Sequence, residues 1–340
     1  MNSTHTITLN AVTILSSQEW PHFKPVLDGV IREKRLKKYI LAISGDKHDE
    51  EIALFAKMYK EKLHIVEGDT LTPSELFTQT LLDVQKYPCD YVIILDSESI
   101  PQEGWIDAYL DNLKFFKEKD IPTVIMIGNT IDIFGKEKSY YSIDSRKNFR
   151  DGTLFDILNF HKINTLLKQV FHIKGSSSST LHIFKTSSSV GGGTLIPFQA
   201  FTAAALPNKN LVMYGVDTDY AWKLKEAGYF FFQCLTPILR KPSSEEDTSN
   251  HVLSLFSSHL KDSDAYYRIR NSVLISREHT HQSKPVLFIN IVLWITLASI
   301  FGLWETTSFR LFFRRVKVVL LGAFHGYITS RNIPSSVVLQ

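Results

Sequence analysis

The chain has 340 residues, enough for one large α/β domain with an appendage or for two ordinary domains. Hydrophobic residues make up 44% and charged residues 21%, a balance that argues against disorder outside the ends. The net charge of +3 is too small to indicate nucleic-acid binding. The two cysteines, Cys89 and Cys234, are too few for a disulfide framework and lack metal-binding spacing. The N-terminal MNSTHTITLN has no signal-peptide pattern, so we expect a reducing, cytosolic location.

The first hundred residues alternate between strand and helix patterns. The second predicted helix has a clear start signal, with Thr72 as N-cap, Pro73 at the first helical position and Glu75 at the third. This alternation predicts an α/β fold with a Rossmann-like, mostly parallel sheet and helices on both faces. The predicted strands are 6–15, 38–46, 63–68 and 90–96, and the predicted helices are 22–36 and 72–87.

The middle of the chain is less regular. Residues 123–134 predict a pair of strands, and 175–193 mixes a short strand with loops rich in serine and glycine. The segment RKPSSEEDTSN, near residue 245, is polar and rich in turn residues. We therefore predict a catalytic domain over 1–245 and a separate helical region over 246–340.

Two acids, Asp96 and Glu98, follow the apolar strand that ends at Leu95. Open α/β sheets bind ligands at the carboxyl ends of their strands. If the backbone stays extended, the two side chains point the same way and offer oxygen ligands to Mg²⁺ or Mn²⁺, and through the metal to a diphosphate. A solvated acidic turn is the alternative interpretation of this tripeptide.

A second group of acids lies about 120 residues further on, where Asp217 and Asp219 precede a predicted helix that stops at Gly228. Acids at a helix N-terminus are ordinarily caps, and we assign that role to Asp219. The preceding Gly191, Gly192 and Gly193 allow a ligand to approach the backbone closely, although a turn would also require glycine.

The stretch GGGTLIP…LPNKNLVMYGVDTDY, together with the acidic strand end, resembles the GT-A glycosyltransferases of family 2. It is similar in particular to the galactofuranosyl- and rhamnosyltransferase branch, as is DSDAYYRIRNSVLISRE at 262–278. The resemblance covers roughly residues 6–275. It implies the GT-A fold and an enzyme that transfers a sugar from a nucleotide donor such as UDP-galactofuranose, another UDP-hexose or dTDP-rhamnose.

The resemblance also implies roles for individual residues. Asp96 and Glu98 match the motif that binds Mn²⁺ or Mg²⁺ and the nucleotide diphosphate, with Ser97 in place of the usual middle acid. Asp217 matches the catalytic base, with Val216 in place of a neighbouring acid. Asp46 falls near the acid that contacts the donor's base. A downstream histidine often binds the metal in relatives, and the candidates His251 and His259 both remain open.

The C-terminal region carries two apolar segments. Residues 286–304 contain no charge and are long enough for a transmembrane helix, but basic residues on both sides favour an in-plane or re-entrant segment. Residues 308–326 predict an amphipathic helix with Arg310, Arg314 and Lys317 on one face, suited to an anionic membrane surface. The opposite, apolar face consists of Phe309, Phe312, Phe313, Val316, Val319, Leu320 and Ala323. Packing on the catalytic domain or on a twin subunit in a homo-oligomer is the alternative.

Together these features predict an inverting, metal-dependent glycosyltransferase that modifies a lipid-linked surface-polysaccharide acceptor of the O-antigen or capsule type. It would work at the cytosolic leaflet of the inner or plasma membrane, and no nucleic acid is expected as a partner. A nucleotidyltransferase shares a similar sheet and acidic site, but its basic, glycine-rich N-terminal signature is absent. A non-catalytic scaffold derived from a transferase remains open because of Ser97 and Val216.

Overall fold

The described residues of the computed structural model form two compact units. The first comprises those within Met1–Arg146, Ile183–Val212 and Val216–Glu245, and the second those within Met213–Gly215 and Glu246–Gln340. The assignment of catalysis to 1–245 and of membrane association to 246–340 remains a prediction. The structure describes residues 7–16, 19–44, 50–68, 71–121, 123–131, 137–138, 184–185, 192–240, 253–256, 260–280, 282–305 and 308–328.

The first unit is built on a mixed sheet. Its described strands are β1 (Leu9–Ser16), β2 (Leu36–Ser44), β3 (Leu63–Glu67), β4 (Tyr91–Ile94), β5 (Ile100–Pro101), β6 (Val124–Ile131), β7 (Glu137–Lys138), β8 (Phe184–Lys185), β9 (Thr194–Pro197) and β10 (Phe230–Arg240). Their order in the sheet is β3-β2-β1-β4-β9-β6-β10-β5, with β7 paired to β6 and β8 paired to β10. Among the described strands, β1, β2, β3, β4, β6 and β10 share one direction and the others oppose it. The mostly parallel α/β sheet is therefore confirmed.

Helices cover both faces of this sheet. Successive side chains of a strand point to opposite faces, so neighbouring residues of β3 show what packs on each side. On one side, Leu63 of β3 joins the main hydrophobic core with residues of α1, α2 and α4. On the other, the adjacent His64 contacts Asp83 of α3 at 3.1 Å. The helices of this unit are α1 (Trp20–Ile31), α2 (Glu50–Met58), α3 (Pro73–Gln85), α4 (Trp105–Glu118), α5 (Phe198–Ala203) and α6 (Val216–Glu226).

The predicted start of α3 is confirmed in detail. Thr72 accepts a hydrogen bond from the backbone N–H of Glu75, and the Glu75 carboxylate accepts one from the backbone N–H of Thr72 at 2.9 Å. This reciprocal pair is a capping box, with Pro73 as the first helical residue. The local signal was sufficient because every partner lies within three residues.

The predicted pair of strands over 123–134 is wrong, since Val124–Ile131 is one continuous strand. The Gly128–Asn129 sequence, a combination common in turns, stays within the strand. The backbone N–H of Gly128 donates to the carbonyl of Gly193 at 2.9 Å. A Cβ atom on Gly128 would lie 2.6 Å from the hydroxyl oxygen of Tyr109, so glycine serves close packing here instead of a turn.

The second unit is helical where it is described, with a short 3₁₀ helix at Leu253–Phe256 followed by α7 (Asp262–His279), α8 (Lys284–Glu305) and α9 (Phe309–Ile328). Gly322 and Gly326 of α9 allow close contact with α7. Cβ atoms at these positions would lie 2.8 Å from the Tyr266 carbonyl and 2.4 Å from the Arg270 carbonyl. Within the described part of the chain, no helix has both the length and the apolarity needed to cross a membrane.

Candidate active site

Strands β1 and β4 are neighbours and run toward the same edge of the sheet. The two strands are parallel, and their pairing continues where the backbone N–H of Leu95 donates to the carbonyl of Val12 at 2.9 Å. Asp96, Ser97 and Glu98 follow directly. This edge is the position at which open α/β sheets bind their ligands.

The backbone turns at Ser97 and Glu98 and does not stay extended, so the condition for parallel side chains of Asp96 and Glu98 is not met. Ser97 is buried, whereas the acids on either side of it are half-buried. The acids therefore face a more open environment than the serine between them.

Glu19, just before α1, holds this turn against the end of β1. Its Oε1 accepts a hydrogen bond from the Ser97 hydroxyl at 2.8 Å. Its Oε2 accepts from the backbone N–H of Ser16 at 2.6 Å and from the Ser16 hydroxyl at 2.9 Å. Ser97, which departs from the family pattern, thus has a structural partner that sequence reasoning missed. An acid at position 97 would place a second carboxylate against Glu19.

Gly192 and Gly193 bring a second segment to the same edge. Both have left-handed backbone conformations, with φ of 56° and 88°, which favour glycine. The backbone N–H of Gly193 donates to the carbonyl of Ile94 at 2.9 Å, immediately before the acidic turn. A Cβ atom on Gly192 would lie 3.6 Å from Oδ2 of Asp96, an ordinary van der Waals distance. The structure therefore brings Gly192 and Asp96 together, two residues almost 100 positions apart.

Gly193 is required for packing as well as for its backbone conformation. A Cβ atom there would lie 2.1 Å from Cδ1 of Leu239. Its carbonyl accepts hydrogen bonds from the backbone N–H of Gly128 and from the Tyr109 hydroxyl. Burial raises the pKa of Tyr109 well above its ordinary value, which keeps this donor protonated. Gly193 thus fixes the position of Gly192 beside Asp96.

A buried hydroxyl pair lies near the acidic turn. The hydroxyls of Thr13 and Tyr39 hydrogen bond to each other at 2.8 Å. Burial raises the pKa of Tyr39 well above its ordinary value. The hydrogen bond with Thr13 acts in the opposite direction, and the negative charge of Asp96 adds to the rise. Asp96 is therefore close enough to Tyr39 to affect it electrostatically.

Asp217 and Asp219 both lie inside the first turn of α6, as its second and fourth residues. Asp219 is completely buried, and its Oδ2 accepts a hydrogen bond from the backbone N–H of Asn208 at 2.7 Å. The predicted capping role of Asp219 is therefore wrong, because this carboxylate anchors the segment before the helix. Asp217 is half-buried. Val216, which stands where the resembled transferases have an acid, is a buried apolar residue at the start of the helix.

The segment that Asp219 anchors is also tied to α3. The carbonyl of Asn208 accepts a hydrogen bond from the Ser74 hydroxyl at 3.3 Å, and its side-chain oxygen accepts from the backbone N–H of Asn210 at 2.9 Å. Tyr220 of α6 packs edge to face on Phe77 of α3, with ring centroids 5.9 Å apart. These contacts hold the N-terminus of α6 on the α3 side of the sheet.

The predicted end of α6 is confirmed. The backbone N–H of Gly228 donates to Lys225 and that of Tyr229 donates to Leu224, with Gly228 at φ 92°. This pattern satisfies the last carbonyls of the helix and requires a left-handed residue.

Four other predicted site residues, Asp46, Gly191, His251 and His259, lie outside the described residues.

No family model matches the sequence, and no curated protein matches it. Solved structures do match the fold. One is GalNAc-T7 with UDP, GalNAc and Mn²⁺, with a TM-score of 0.53 and 12% identity over 81% of this chain. Another is TarS 1–349 of S. aureus in complex with UDP-GlcNAc, with a TM-score of 0.50 and 10% identity over 93% of this chain and 82% of that one.

This chain has the GT-A fold. The match spans about half of the GalNAc-T7 chain, 48%. At these identities the likeness shows the fold alone, so the galactofuranosyl or rhamnosyl branch remains a prediction. In the GT-A sheet of this chain, the described groups at this edge include Asp96, Glu98, the Gly192–Gly193 turn and Glu19, which is hydrogen bonded to Ser97.

Proposed function

We propose that the protein is an inverting, metal-dependent glycosyltransferase that moves a sugar from a nucleotide-diphosphate donor to a lipid-linked glycan. The observation that carries the proposal is the position of the Asp96 carboxylate beside the glycine turn at Gly192, at the carboxyl edge of a GT-A sheet. A carboxylate beside a glycine turn suits a ligand that has both a cation and phosphate oxygens.

The donor atoms at this edge suit a divalent cation, although the turn at Ser97 and Glu98 does not hold the two carboxylates side by side. Asp96 and Glu98 supply carboxylate oxygens, the donors that Mg²⁺ and Mn²⁺ prefer, and Gly192 leaves the space beside Asp96 that a side chain would fill. GalNAc-T7 was crystallised with Mn²⁺, which supports that ion. A bound cation would neutralise charge on the departing nucleoside diphosphate. His251 and His259 remain candidates for a further ligand.

Asp217 is proposed as the general base. An acceptor hydroxyl is a weak nucleophile until a carboxylate takes its proton, and Asp217 lies in the first turn of α6, where the helix dipole favours a negative charge. The deprotonated oxygen attacks the anomeric carbon on the face opposite the leaving diphosphate. The bond to the diphosphate oxygen breaks as the new glycosidic bond forms, and the configuration inverts.

We propose a UDP-hexose as donor ahead of dTDP-rhamnose, because both similar structures contain UDP or a UDP-sugar. UDP-galactofuranose is the hexose that the sequence resemblance favours. Asp46 would contact the donor's base.

The proposed acceptor is a lipid-linked surface polysaccharide. The protein would therefore work at the cytosolic face of the inner or plasma membrane.

The proposal is tested by measuring binding of a panel of UDP- and dTDP-sugars to the full chain with Mn²⁺, with Mg²⁺ and with a chelator. We expect one donor to bind only with metal, and Asp96→Asn to weaken that binding at least tenfold. Asp111→Asn, an exposed acid of α4, is the matched control and should bind as the wild type does. Failure of every sugar nucleotide to bind under any metal condition would overturn the proposal in favour of a scaffold.

A further inference from the structure

Helices α8 and α9 each carry a stripe of large apolar side chains exposed to solvent. On α8, the buried positions Leu287, Ile291, Trp294 and Ala298 alternate with an exposed stripe at helical spacing. Apart from Thr296, the exposed positions of this stripe are large and hydrophobic. They are Phe288, Ile289, Val292, Leu293, Leu297, Ile300 and Leu303.

The neighbouring α9 extends this surface. Phe309 is 76% exposed and Phe313 is 67% exposed, although most phenylalanines of a folded protein lie inside. With Leu320 and Phe324, they span an arc of about 60° at 100° per residue. The predicted apolar face of this helix is thus divided, because Phe312 and Val319 are buried while these four residues are not.

The two helices form an antiparallel hairpin that presents both stripes. The ring of Phe288 near the start of α8 lies 5.7 Å from that of Tyr327 near the end of α9. The Tyr327 hydroxyl donates to the carbonyl of Lys284 at 3.2 Å. With 22 and 20 residues, the helices are roughly 33 and 30 Å long at 1.5 Å per residue. Two exposed apolar stripes of this length differ from the single, scattered hydrophobic residues that are normal on a protein surface.

Charge decides which partner fits this surface. Arg310, Arg314 and Lys317 lie at one side of the α9 stripe and are exposed, with Arg314 also paired to Asp262. The sequences of both helices contain a single acid, Glu305, at the end of α8. An apolar stripe with a basic edge is suited to a membrane of anionic lipids. The acyl chains accept the apolar side chains, and the anionic headgroups attract the arginine and lysine side chains.

A second copy of this chain fits less well. A two-fold interface would pair this surface with an identical copy of itself. Such a copy offers no acid within its stripe to pair with Arg310 and Lys317, whereas an anionic membrane supplies the opposite charge. The hairpin therefore favours a lipid surface over a homodimer.

We infer that the α8–α9 hairpin is the membrane-docking surface of the protein, with Phe309, Phe313 and the α8 stripe in the acyl boundary and the basic edge at the headgroups. Its biological role rests on the proposed function, since a lipid-linked acceptor would then be reached from the same membrane. Docking itself needs neither donor nor metal.

The test is flotation of the full chain with vesicles of phosphatidylcholine alone or with 30% phosphatidylglycerol, a composition of about one anionic lipid in three. We expect binding to anionic vesicles and at least tenfold weaker binding to neutral ones. The double variant Phe309→Gln with Phe313→Gln should lose at least tenfold. Leu54→Gln with Met58→Gln, which replaces two residues of α2 that are 61% and 63% exposed, should lose nothing.

A charge variant and a mass measurement complete the experiment. Arg310→Gln with Lys317→Gln should weaken binding to anionic vesicles several-fold, whereas Lys57→Gln with Lys60→Gln should not. Light scattering should give a monomer. A dimer that the phenylalanine variant dissociates, or equal binding of that variant and wild type, would overturn the inference. Donor binding, measured separately, reports on the proposed function alone.

Discussion

The Ser97 hydroxyl donates a hydrogen bond to Oε1 of Glu19 across 2.8 Å, although the residues are 78 positions apart. The same carboxylate holds the backbone N–H of Ser16 at the end of β1. Glu19 thus ties the turn that carries Asp96 and Glu98 to the neighbouring parallel strand. We regard it as a positioning residue that acts through Ser97.

Replacing Glu19 by Gln should therefore weaken metal-dependent donor binding several-fold and reduce the free energy of unfolding by about 1–2 kcal/mol, since a charged hydrogen-bond acceptor is lost. Ser97→Ala should behave similarly. Donor binding and stability should both fall because the turn at Ser97 and Glu98 loses a hydrogen bond that holds it to the end of β1. Titration calorimetry and urea unfolding measure the two quantities. Glu103→Gln, an exposed acid of the same unit, is the control, and unchanged donor binding in Glu19→Gln would contradict the positioning role.

Gly193 and Gly228 allow two destabilising effects of replacing glycine, backbone strain and overpacking, to be measured separately. Both have positive φ, 88° and 92°, but a Cβ atom would lie 2.1 Å from Leu239 at Gly193 and would meet no atom within 4 Å at Gly228. Gly228→Ala should cost about 1–2 kcal/mol from the backbone alone. Gly193→Ala should cost about 2–3 kcal/mol more, because overpacking is added. Urea unfolding of both variants measures the difference, and equal losses would show that Leu239 moves aside freely.

The sequence predicted those features whose partners are close in the chain. The capping box at Thr72 and Glu75 and the glycine stop at Gly228 are local hydrogen-bond patterns, and both are confirmed. The alternation of strands and helices likewise predicted the α/β sheet. Asp96 was placed at the ligand edge because the apolar strand ends there.

Features that depend on distant contacts were not predictable. The sequence marks Ser97 only as a departure from the acidic pattern, whereas its partner Glu19 lies 78 positions away in the chain. Asp219 looked like a cap, but its acceptor role toward Asn208 depends on how the preceding segment folds back. A helical wheel assigned Phe309 and Phe312 to one face, whereas packing buries only Phe312. A single sequence does not show which side of an amphipathic helix meets protein.

Asp219 gives a prediction about stability. Its buried carboxylate accepts the backbone N–H of Asn208, so Asp219→Ala leaves that donor without this partner. The free energy of unfolding should fall by about 2–3 kcal/mol. Asp111→Ala, which removes an exposed ion pair with Lys114, should cost less than about 1 kcal/mol. Urea unfolding of the two variants checks this order, and a neutral Asp219→Ala would refute the anchoring role.

Asp83 gives a prediction about pH. Burial alone raises the pKa of this carboxyl, but hydrogen bonds and charges from Lys86 and His64 outweigh burial and set the pKa below its ordinary value. The ionised form is thus favoured by folding. This stability is present above the pKa of the unfolded chain, near 4, and is lost as the pH falls through the lower folded value.

Asp83→Asn should accordingly be less stable than the wild type by about 1–3 kcal/mol at pH 7, because hydrogen bonds to a charged group are lost. The difference should shrink toward pH 3. Urea unfolding at several pH values measures it. Asp107→Asn, an exposed acid paired with Arg35, should show a small difference at every pH. A difference between Asp83→Asn and wild type that does not vary with pH would rule out linkage to this carboxyl.

Asp217 separates a glycosyltransferase from a scaffold. The variant Asp217→Asn keeps the shape of the side chain but removes the group that would take the acceptor's proton. Turnover should fall by about 10²–10⁴-fold, the usual contribution of a general base, while donor affinity and unfolding stay within experimental error of the wild type. Thr218→Ala, one residue further along the same helical turn, should keep most of its turnover. Product formation from the donor identified by binding provides the measurement. Undiminished turnover in Asp217→Asn would assign the base elsewhere, because a positioned carboxylate is the only property that the variant lacks.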